Sequence, residues 1–425
     1  MELASHRKWK TGLGAVAVVA ALVAAGCSSS SKPSTGATAT TTGSTATSGS
    51  GSGGAATCSG IPAGPIKIGN ILPLSNNPYA QIEAPQSALA NIAVNYFNQH
   101  DSICGHQIQL ITNDDKGDPA TSLSLARQYV SEGIKLMLNP SLGPNQDAIQ
   151  PYLMKSKMLV VSIAGITKYL TPSQNPSFFS VLPSDAQYAQ ATADAIKKKG
   201  WNDVGILNDG TDFGNDITGY LQKDLQADGL TVTKTVNYSP TAVDLTAPLQ
   251  QLKAAGAQTV TPASASGITA LVSGMKQLGW PTQTLSWGAY LDYFTPASNL
   301  PTGTIDGCTW YLPSSDAPSS TAGETPAASA LLAQASAQVK GASPFGVIQT
   351  YIDFQMMKAA VEKAGSLDPT KLISAMESLQ NVPTIWPGIS ESFSPTNHTG
   401  WPDGKYGMCG LTLGPNAVEY LAPGF

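Results

Sequence analysis

The chain has 425 residues, of which 12% are charged, and its formal net charge is −5. This length allows two or three domains, and the absence of a basic stripe to neutralise phosphates argues against nucleic acid as a partner. The three histidines of the later chain, His100, His106 and His398, lack metal-ligand spacing. Because no Gly-x-Ser-x-Gly elbow or P-loop is present either, we predict no metal, no cofactor and no enzymatic activity.

The N-terminal segment has the order of an export signal. A basic start precedes an apolar stretch over 13–25, which is too short to span a bilayer. Cys27 follows Ala-Gly directly and resembles the lipobox cysteine of bacterial lipoproteins, which carries a diacylglyceryl group after cleavage. We therefore predict a signal peptide over 1–26, lipidation of Cys27 and a Ser/Thr/Gly-rich flexible tether over 27–60. The alternative is an ordinary secretory signal with a chance cysteine.

Four cysteines remain after Cys27: Cys58, Cys104, Cys308 and Cys409. An even count in an exported chain suggests disulfides. Three connectivities are open, and we favour the near pairing in each half of the chain, Cys58 with Cys104 and Cys308 with Cys409. The alternative is a set of free buried thiols.

From Ile66 onward, short apolar runs alternate with segments of helical period. The first run contains the strands "IKIGNILPL", "HQIQLIT", "IKLMLN" and "MLVVSI", with helices between them over 84–99, 118–133 and 145–156. The second run contains "DVGILND", "TVTKTVNY", "AQTVTPA" and "TQTLSW", separated by helices. Strands that alternate with helices imply parallel sheets with right-handed crossovers. Because the runs divide at 182–185, the sequence predicts an α/β protein with two lobes.

The loops that follow these strands are the predicted binding region. Ligands bind beyond the carboxyl ends of the strands in open α/β sheets. The loops "PLSNNPYA", "NPSLGPNQ", "SIAGITKYL", "NDGTDFGND", "PASASG" and "SWGAYLDYF" are rich in small, polar and aromatic residues. Small residues let backbone N–H groups approach a ligand, and aromatic side chains can form its apolar wall. The alternative for any single loop is an ordinary turn of the fold.

The order "IKIGNILPLS", then "NDDKGDPATSLSLARQYVSEGIKLMLNPSLGPNQDAIQPYLMKSKMLVVSIAG", then "VGILNDGTDFGND" resembles the leucine/isoleucine/valine-binding family of solute-binding proteins for ABC importers. The resemblance implies two Rossmann-like lobes with parallel sheets, joined by a three-stranded hinge, and a ligand held between them. It places lobe I at 61–184 and 313–380, and lobe II at 185–312 and 381–425.

The resemblance also implies which residues contact the ligand. In the family, first-lobe loops grip the ligand carboxylate through hydroxyl and backbone N–H groups. An acid that pairs with the ligand ammonium usually follows the strand that here reads "TLSWGAY", and Trp287 and Tyr290 stand in that region instead. With Phe213 they suit an apolar or aromatic solute. The predicted ligand-binding residues, from these matches and from the strand-end loops, are Asn76, Tyr79, Ser141, Leu142, Gly143, Ala164, Gly165, Thr167, Phe213, Ser264, Trp287 and Tyr290.

The resulting expectation is an exported solute-binding lipoprotein, anchored to the outer face of the bacterial cell membrane. It would be a monomer that captures an amino acid, an aromatic carboxylate or an amide and docks on the permease subunits of an ABC importer. The alternative is a sensor with the same lobes that signals to a membrane partner.

Overall fold

A computed structural model describes most of the chain after the N-terminal region. The described residues are 58–77, 79–163, 165–264, 268–280, 283–284, 305–310, 325–339, 346–386, 389–402, 407–413 and 418–422. All of them belong to one compact unit, Gly53–Phe425. Among them, no helix is both long enough and apolar enough to cross a membrane.

Lobe I is built on a five-stranded parallel sheet. Its order is β2-β1-β3-β4-β5. The strands are β1 (Ile66–Leu72), β2 (Ile108–Asp114), β3 (Leu136–Pro140), β4 (Leu159–Ser162) and β5 (Phe178–Ser180). The four strands predicted in the first run are confirmed, whereas β5 was missed because three residues are too few to show a period.

Three helices connect the strands of this sheet: α1 (Ala80–His100), α2 (Pro119–Ser131) and α3 (Gly143–Lys155). Helix α2 begins where the sequence predicts, because the Asp118 carboxylate accepts the N–H of Thr121 at 2.9 Å and Pro119 occupies the first turn. It ends before Gly133, whose φ of 78° suits glycine.

Lobe II repeats the arrangement with a four-stranded parallel sheet of order β7-β6-β8-β9. Its strands are β6 (Val204–Asn208), β7 (Val232–Asn237), β8 (Thr259–Ala263) and β9 (Gln283–Thr284). Its helices are α4 (Asp185–Lys198), α5 (Asp212–Ala227), α6 (Thr246–Ala254) and α7 (Ile268–Gln277). The predicted apolar face of α5, Ile217, Leu221 and Leu225, is buried. The two parallel sheets confirm the predicted α/β class with two lobes.

The later chain adds helices and short strands. The helices are α8 (Pro326–Gln338), α9 (Gly346–Ala364) and α10 (Pro369–Glu377). The strands are β10 (Ile305–Trp310), β11 (Val382–Pro383), β12 (Ser390–Glu391), β13 (Gly407–Leu413) and β14 (Val418–Ala422). Strands β10, β13 and β14 form an antiparallel sheet. Helix α9 packs on α1, where Phe97 meets Tyr351 and Phe354 at ring centroid distances of 5.6 and 6.0 Å.

The segment 389–402 contacts lobe I, although the sequence placed it in lobe II. The N–H of Ser180 in β5 donates to the carbonyl of His398, and the N–H of Gly400 donates to the carbonyl of Ser180, both at 2.9 Å. The buried His398 ring also stacks on Phe179 at 3.9 Å. The lobe boundaries stay a prediction, and these contacts favour assigning 389–402 to lobe I.

The cysteines follow the favoured near pairing where the structure describes their side chains. Cys58 is bonded to Cys104, with 6.0 Å between their Cα atoms. In the antiparallel register of β10 and β13, Cys308 lies directly opposite Cys409. Their disulfide stays a prediction, which peptide mapping of the non-reduced protein checks by the presence of a linked pair containing both residues.

Removal of the first disulfide is expected to destabilise the protein strongly. The bond closes a loop with a sequence separation of 46 residues, and loop-closure entropy then gives about 4 kcal/mol. The double variant Cys58→Ser/Cys104→Ser should lose this amount in urea unfolding. A loss below about 1 kcal/mol would contradict the expectation. The oxidised native chain, whose other cysteines are the same as in the variant, is the matched comparison.

Candidate functional site

Loops at the carboxyl ends of the two parallel sheets contact each other, and we call the region between them the cleft. The loop after β4 in lobe I reaches the first turns of α5 in lobe II. The N–H of Thr167 donates to Oδ2 of Asp216 at 2.9 Å, and Nζ of Lys168 donates to Oδ2 of Asp212 at 2.8 Å. Strand-end loops of both lobes therefore form the walls of the cleft, as expected for α/β sheets that bind ligands.

The loop after β1 brings Tyr79 to this cleft. Asp114 at the end of β2 accepts the N–H of Leu74 at 2.8 Å and thereby fixes the start of the loop. Tyr79 is the N-cap residue of α1. Burial raises the pKa of its phenol, and the charges of Asp209 and Asp212 in lobe II raise it further. The Tyr79 side chain thus lies close to the lobe II acids.

Asn76, the other predicted contact of this loop, is exposed and adopts a left-handed φ of 55°. Asparagine tolerates this region better than most residues. The conformation gives Asn76 a role in shaping the turn, and its contact with a ligand stays a prediction.

The loop after β3 contains Ser141, whose hydroxyl binds another residue of the protein. Ser141 is 2% exposed and has a φ of 68°. Its N–H donates to the carbonyl of Ile71 at 2.9 Å, and its hydroxyl donates to the buried carboxylate of Asp115. Asp115 thus engages the hydroxyl proton of Ser141 in this structure, and contact of Ser141 with a ligand stays a prediction. Leu142 beside it is 37% exposed, and Gly143 begins α3 with a φ of 50°.

The loop after β4 contains a glycine, Gly165, and any other residue at this position would displace neighbouring atoms. The carbonyl of Gly165 accepts the N–H of Asp185 at 2.8 Å, and a Cβ added to Gly165 would lie 2.7 Å from the carbonyl oxygen of Pro183. Oγ1 of Thr167 is buried and has no hydrogen-bond partner among the described residues. Ala164 lies outside the described residues.

In lobe II the structure describes only some of the predicted ligand-binding residues. Phe213 is half-buried in the first turn of α5 and packs against the main apolar core. Ser264 follows β8 and is 2% exposed. Trp287 and Tyr290 lie outside the described residues, so their contribution to an aromatic wall stays a prediction.

A buried polar ladder beneath the lobe I loops was not found from the sequence. Asn70 donates from Nδ2 to Oγ1 of Thr112 at 3.0 Å and accepts from Nδ2 of Asn139 at 3.1 Å. Oγ of Ser162 in turn donates to Oδ1 of Asn139 at 3.3 Å. Because the ladder runs across β2, β1, β3 and β4, it fixes the ends of these strands relative to one another.

Two buried amide groups near the cleft end of β3 have unsatisfied donors. They belong to Asn145 and Gln146 in the first turn of α3, which are 5% and 1% exposed. Neither side-chain nitrogen has a hydrogen-bond partner among the residues that the structure describes. Buried donors without partners are rare in folded proteins and each requires a reason.

Acidic residues follow strands of both lobes near the carboxyl ends of the sheets. Asp209, Asp212 and Asp216 follow β6 closely in lobe II. In lobe I, burial raises the pKa of Glu83 to about 7, and the Asp115 charge adds to the shift. The quoted loop "NDGTDFGND" contains these lobe II acids, so their position after a strand was a signal that sequence reasoning could have used.

The described residues contain no group of three or more His, Cys, Asp or Glu side chains arranged to hold a metal ion. In the structure, Asp209 and Asp216 act as hydrogen-bond acceptors. Together with the N–H and amide donors of lobe I, they suit a small polar solute.

Comparisons with known proteins show the family and the fold. A family model described as "Periplasmic binding protein" matches residues 65–405. Leu/Ile/Val-binding protein homolog 3 of Brucella melitensis is 25% identical over 316 residues, which are 73% of this chain and 82% of that protein.

Two solved structures show the same fold. The leucine-binding protein LivK of Thermotoga maritima superposes with a TM-score of 0.67 at 15% identity, covering 84% of this chain and 98% of that one. An ABC-transporter solute-binding protein of Rhodopseudomonas palustris, in complex with 4-hydroxybenzoate, gives a TM-score of 0.69 at 20% identity, with coverages of 84% and 96%. With four-fifths of its length matched by the family model, this chain belongs to the periplasmic binding protein family.

Proposed function

We propose that this chain is an extracytoplasmic solute-binding lipoprotein of an ABC importer. It captures a small solute in the cleft between its lobes and delivers it to the permease subunits. The observation that carries the proposal is the meeting of both sheets' carboxyl ends, where Thr167 contacts Asp216 and Lys168 contacts Asp212. A ligand that contacts both walls stabilises the closed arrangement through its differential affinity for that state.

The proposed solute is an amino acid, an aromatic carboxylate or an amide. Relatives named for leucine, isoleucine and valine binding support the first class, and a fold neighbour solved with 4-hydroxybenzoate supports the second. Leu142 at the cleft is 37% exposed, which supports an apolar part of the solute. The donors of Asn145 and Gln146 support a polar part.

Attachment to the membrane is proposed through Cys27, with 27–60 as a tether. The apolar segment that ends on Ala-Gly-Cys supports it. A diacylglyceryl group at the cysteine gives two acyl chains, and two chains hold a protein stably at a membrane surface.

A thermal-shift panel tests the proposed solute classes. The panel contains leucine, valine, phenylalanine, 4-hydroxybenzoate and the corresponding amides. A true solute at 100 times its Kd should stabilise the native state by about 2.7 kcal/mol and raise the Tm accordingly. If no compound of the panel raises the Tm at millimolar concentration, the protein does not bind solutes of these classes.

A matched pair of variants then locates the site. Tyr79→Ala should weaken binding of the solute found by at least tenfold, since Tyr79 lies beside the lobe II acids. Tyr152→Ala is the control, because Tyr152 is a half-buried tyrosine of α3 that contacts Arg127 of α2. Equal affinities of the two variants in calorimetry would place the solute elsewhere.

A further inference from the structure

Within the cleft, a carboxylate of lobe II accepts a hydrogen bond from a backbone N–H group of lobe I. The N–H of Thr167 donates to Oδ2 of Asp216 at 2.9 Å, across a sequence separation of 49 residues. A position that holds a carboxylate oxygen of the protein suits a carboxylate oxygen of a solute by the same charge-assisted hydrogen bond. The two carboxylates therefore compete for one donor.

Asp185 lies near Asp216 and anchors the start of α4 to the same lobe I loop. Asp185 is fully buried, and its N–H donates to the carbonyl of Gly165 at 2.8 Å. Burial raises the pKa of its carboxyl well above the ordinary value, and the charge of Asp216 raises it further.

The neighbouring ion pair of Lys168 with Asp212 is a weaker contact than the hydrogen bond between Thr167 and Asp216. Nζ of Lys168 lies 2.8 Å from Asp212 in lobe II and 2.8 Å from Asp147 in lobe I. The lysine side chain is 41% exposed and the two acids are similarly exposed. Exposed ion pairs contribute little, because water and salt screen them. We therefore consider binding at the hydrogen bond between Thr167 and Asp216.

We infer that Asp216 is a specificity-determining residue that lowers the affinity of the cleft for solutes with a free carboxylate. The inference rests on the function proposed above. A solute carboxylate must displace Asp216 from Thr167 and then lies beside it, near Asp209 and Asp212 as well. A solute amide or amine instead meets Asp216 as an acceptor, and Oγ1 of Thr167 is a further buried group without a partner among the described residues.

Amide hydrogen exchange in the solute-free, full-length protein tests the contact itself. Asp216→Ala should speed exchange of the Thr167 amide at least tenfold, because its acceptor is lost. Asp224→Ala is the matched control, an aspartate two turns further along α5, and should leave this amide unchanged. A Thr167 amide that exchanges equally in the native chain and Asp216→Ala would overturn the inference.

Binding of paired probes tests the consequence. Asp216→Asn keeps an acceptor oxygen and removes the charge, so it preserves the fold where alanine could disturb it. Calorimetry compares 4-hydroxybenzoate with 4-hydroxybenzamide, and leucine with leucinamide. In Asp216→Asn the affinity ratio of acid to amide should rise about tenfold, and in Asp224→Asn it should stay as in the native chain.

The outcomes separate this inference from the proposed function. An acid-to-amide ratio that is equal in Asp216→Asn and the native chain overturns the specificity role of Asp216. If none of the four probes binds the native chain, the proposed solute classes fail. In that case, a Thr167 amide that exchanges slowly in the native chain and rapidly in Asp216→Ala would still support Asp216 as its partner.

Discussion

Glu391→Gln is expected to gain stability over the native chain as the pH rises from 6 to 8. Glu391 in β12 and Asp353 in α9 are both 0% exposed. Neither carboxyl group has a hydrogen-bond partner among the described residues. Burial raises the pKa of each well above its ordinary value, and the charge of Glu391 adds to the shift of Asp353. Glutamine is close in shape and carries no charge at any pH.

The direction follows from proton binding in the two states. The unfolded chain releases these carboxyl protons near pH 4, whereas the folded chain retains them to higher pH. The folded state therefore binds more protons above pH 4, and stability falls as the pH rises towards the folded-state pKa. One fully retained proton changes the free energy of unfolding by about 1.4 kcal/mol for each pH unit, which is the upper limit of the expected gain per unit.

The comparison is made between variants because His398 also titrates. Burial lowers the pKa of His398 in the folded protein, so its contribution to stability is lost as the pH falls below about 6.5. That contribution is common to the native chain and Glu391→Gln, and it cancels in their difference. Urea unfolding at pH 6, 7 and 8 measures this difference. Exposed Glu132 supplies the control Glu132→Gln, whose difference from the native chain should not vary with pH.

If the stability difference between Glu391→Gln and the native chain were the same at all three pH values, or zero, Glu391 would be ionised or paired in the folded state. The packing around Glu391 leaves little room for a hydrogen-bond partner of its carboxyl group. A Cβ added to Gly400 would meet both the Glu391 carboxylate and the Phe393 ring. Asp353→Asn should show the same trend, and the double variant should gain less than the sum because the two charges interact.

The architecture could be predicted because it depends on local periodicity. Apolar runs of four to seven residues between helical segments predict parallel strands, and the face of α5 formed by Ile217, Leu221 and Leu225 is buried as its spacing indicates. Short elements could not be found this way. Strand β5 has three residues, and its pairing with the segment around His398 joins residues 220 apart in sequence.

The site was predicted at the level of loops and less well at the level of side chains. Thr167 and Tyr79 do lie at the cleft, yet Ser141 directs its hydroxyl to Asp115. A sequence cannot show this, because Asp115 and Ser141 follow different strands and meet only through the sheet order. Asp216 was missed for a related reason, since the docking of α5 against the loop after β4 decides which acid faces Thr167.

Gly214→Ala is expected to lower the free energy of unfolding by about 1–3 kcal/mol, the usual effect of overpacking. Gly214 lies in the first turn of α5, where an added Cβ would meet the Asp209 carboxylate and lie 2.7 Å from the carbonyl oxygen of Ala263. Neither neighbour moves freely. Oδ1 of Asp209 accepts the hydroxyl of Thr211 at 2.6 Å, and Ala263 ends β8 of the parallel sheet.

Gly219→Ala is the matched control on the same helix. A Cβ there meets no atom within 4 Å, and alanine is favoured over glycine in a helix by about 1 kcal/mol. This variant should therefore be slightly more stable than the native chain. The two substitutions add the same methyl group five residues apart, so any difference between them in urea unfolding reports the packing at the end of the lobe II sheet.

The same pair connects stability to solute binding. To admit the methyl group, the first turn of α5 must move away from β6 and β8, and it carries Asp212, Phe213 and Asp216 with it. Gly214→Ala should then bind the solute at least tenfold more weakly, with faster exchange of the Thr167 amide, whereas Gly219→Ala should match the native chain in both. If Gly214→Ala lost stability but bound normally, the first turn of α5 would not form part of the binding wall, and the solute would have to be held by other loops of the cleft.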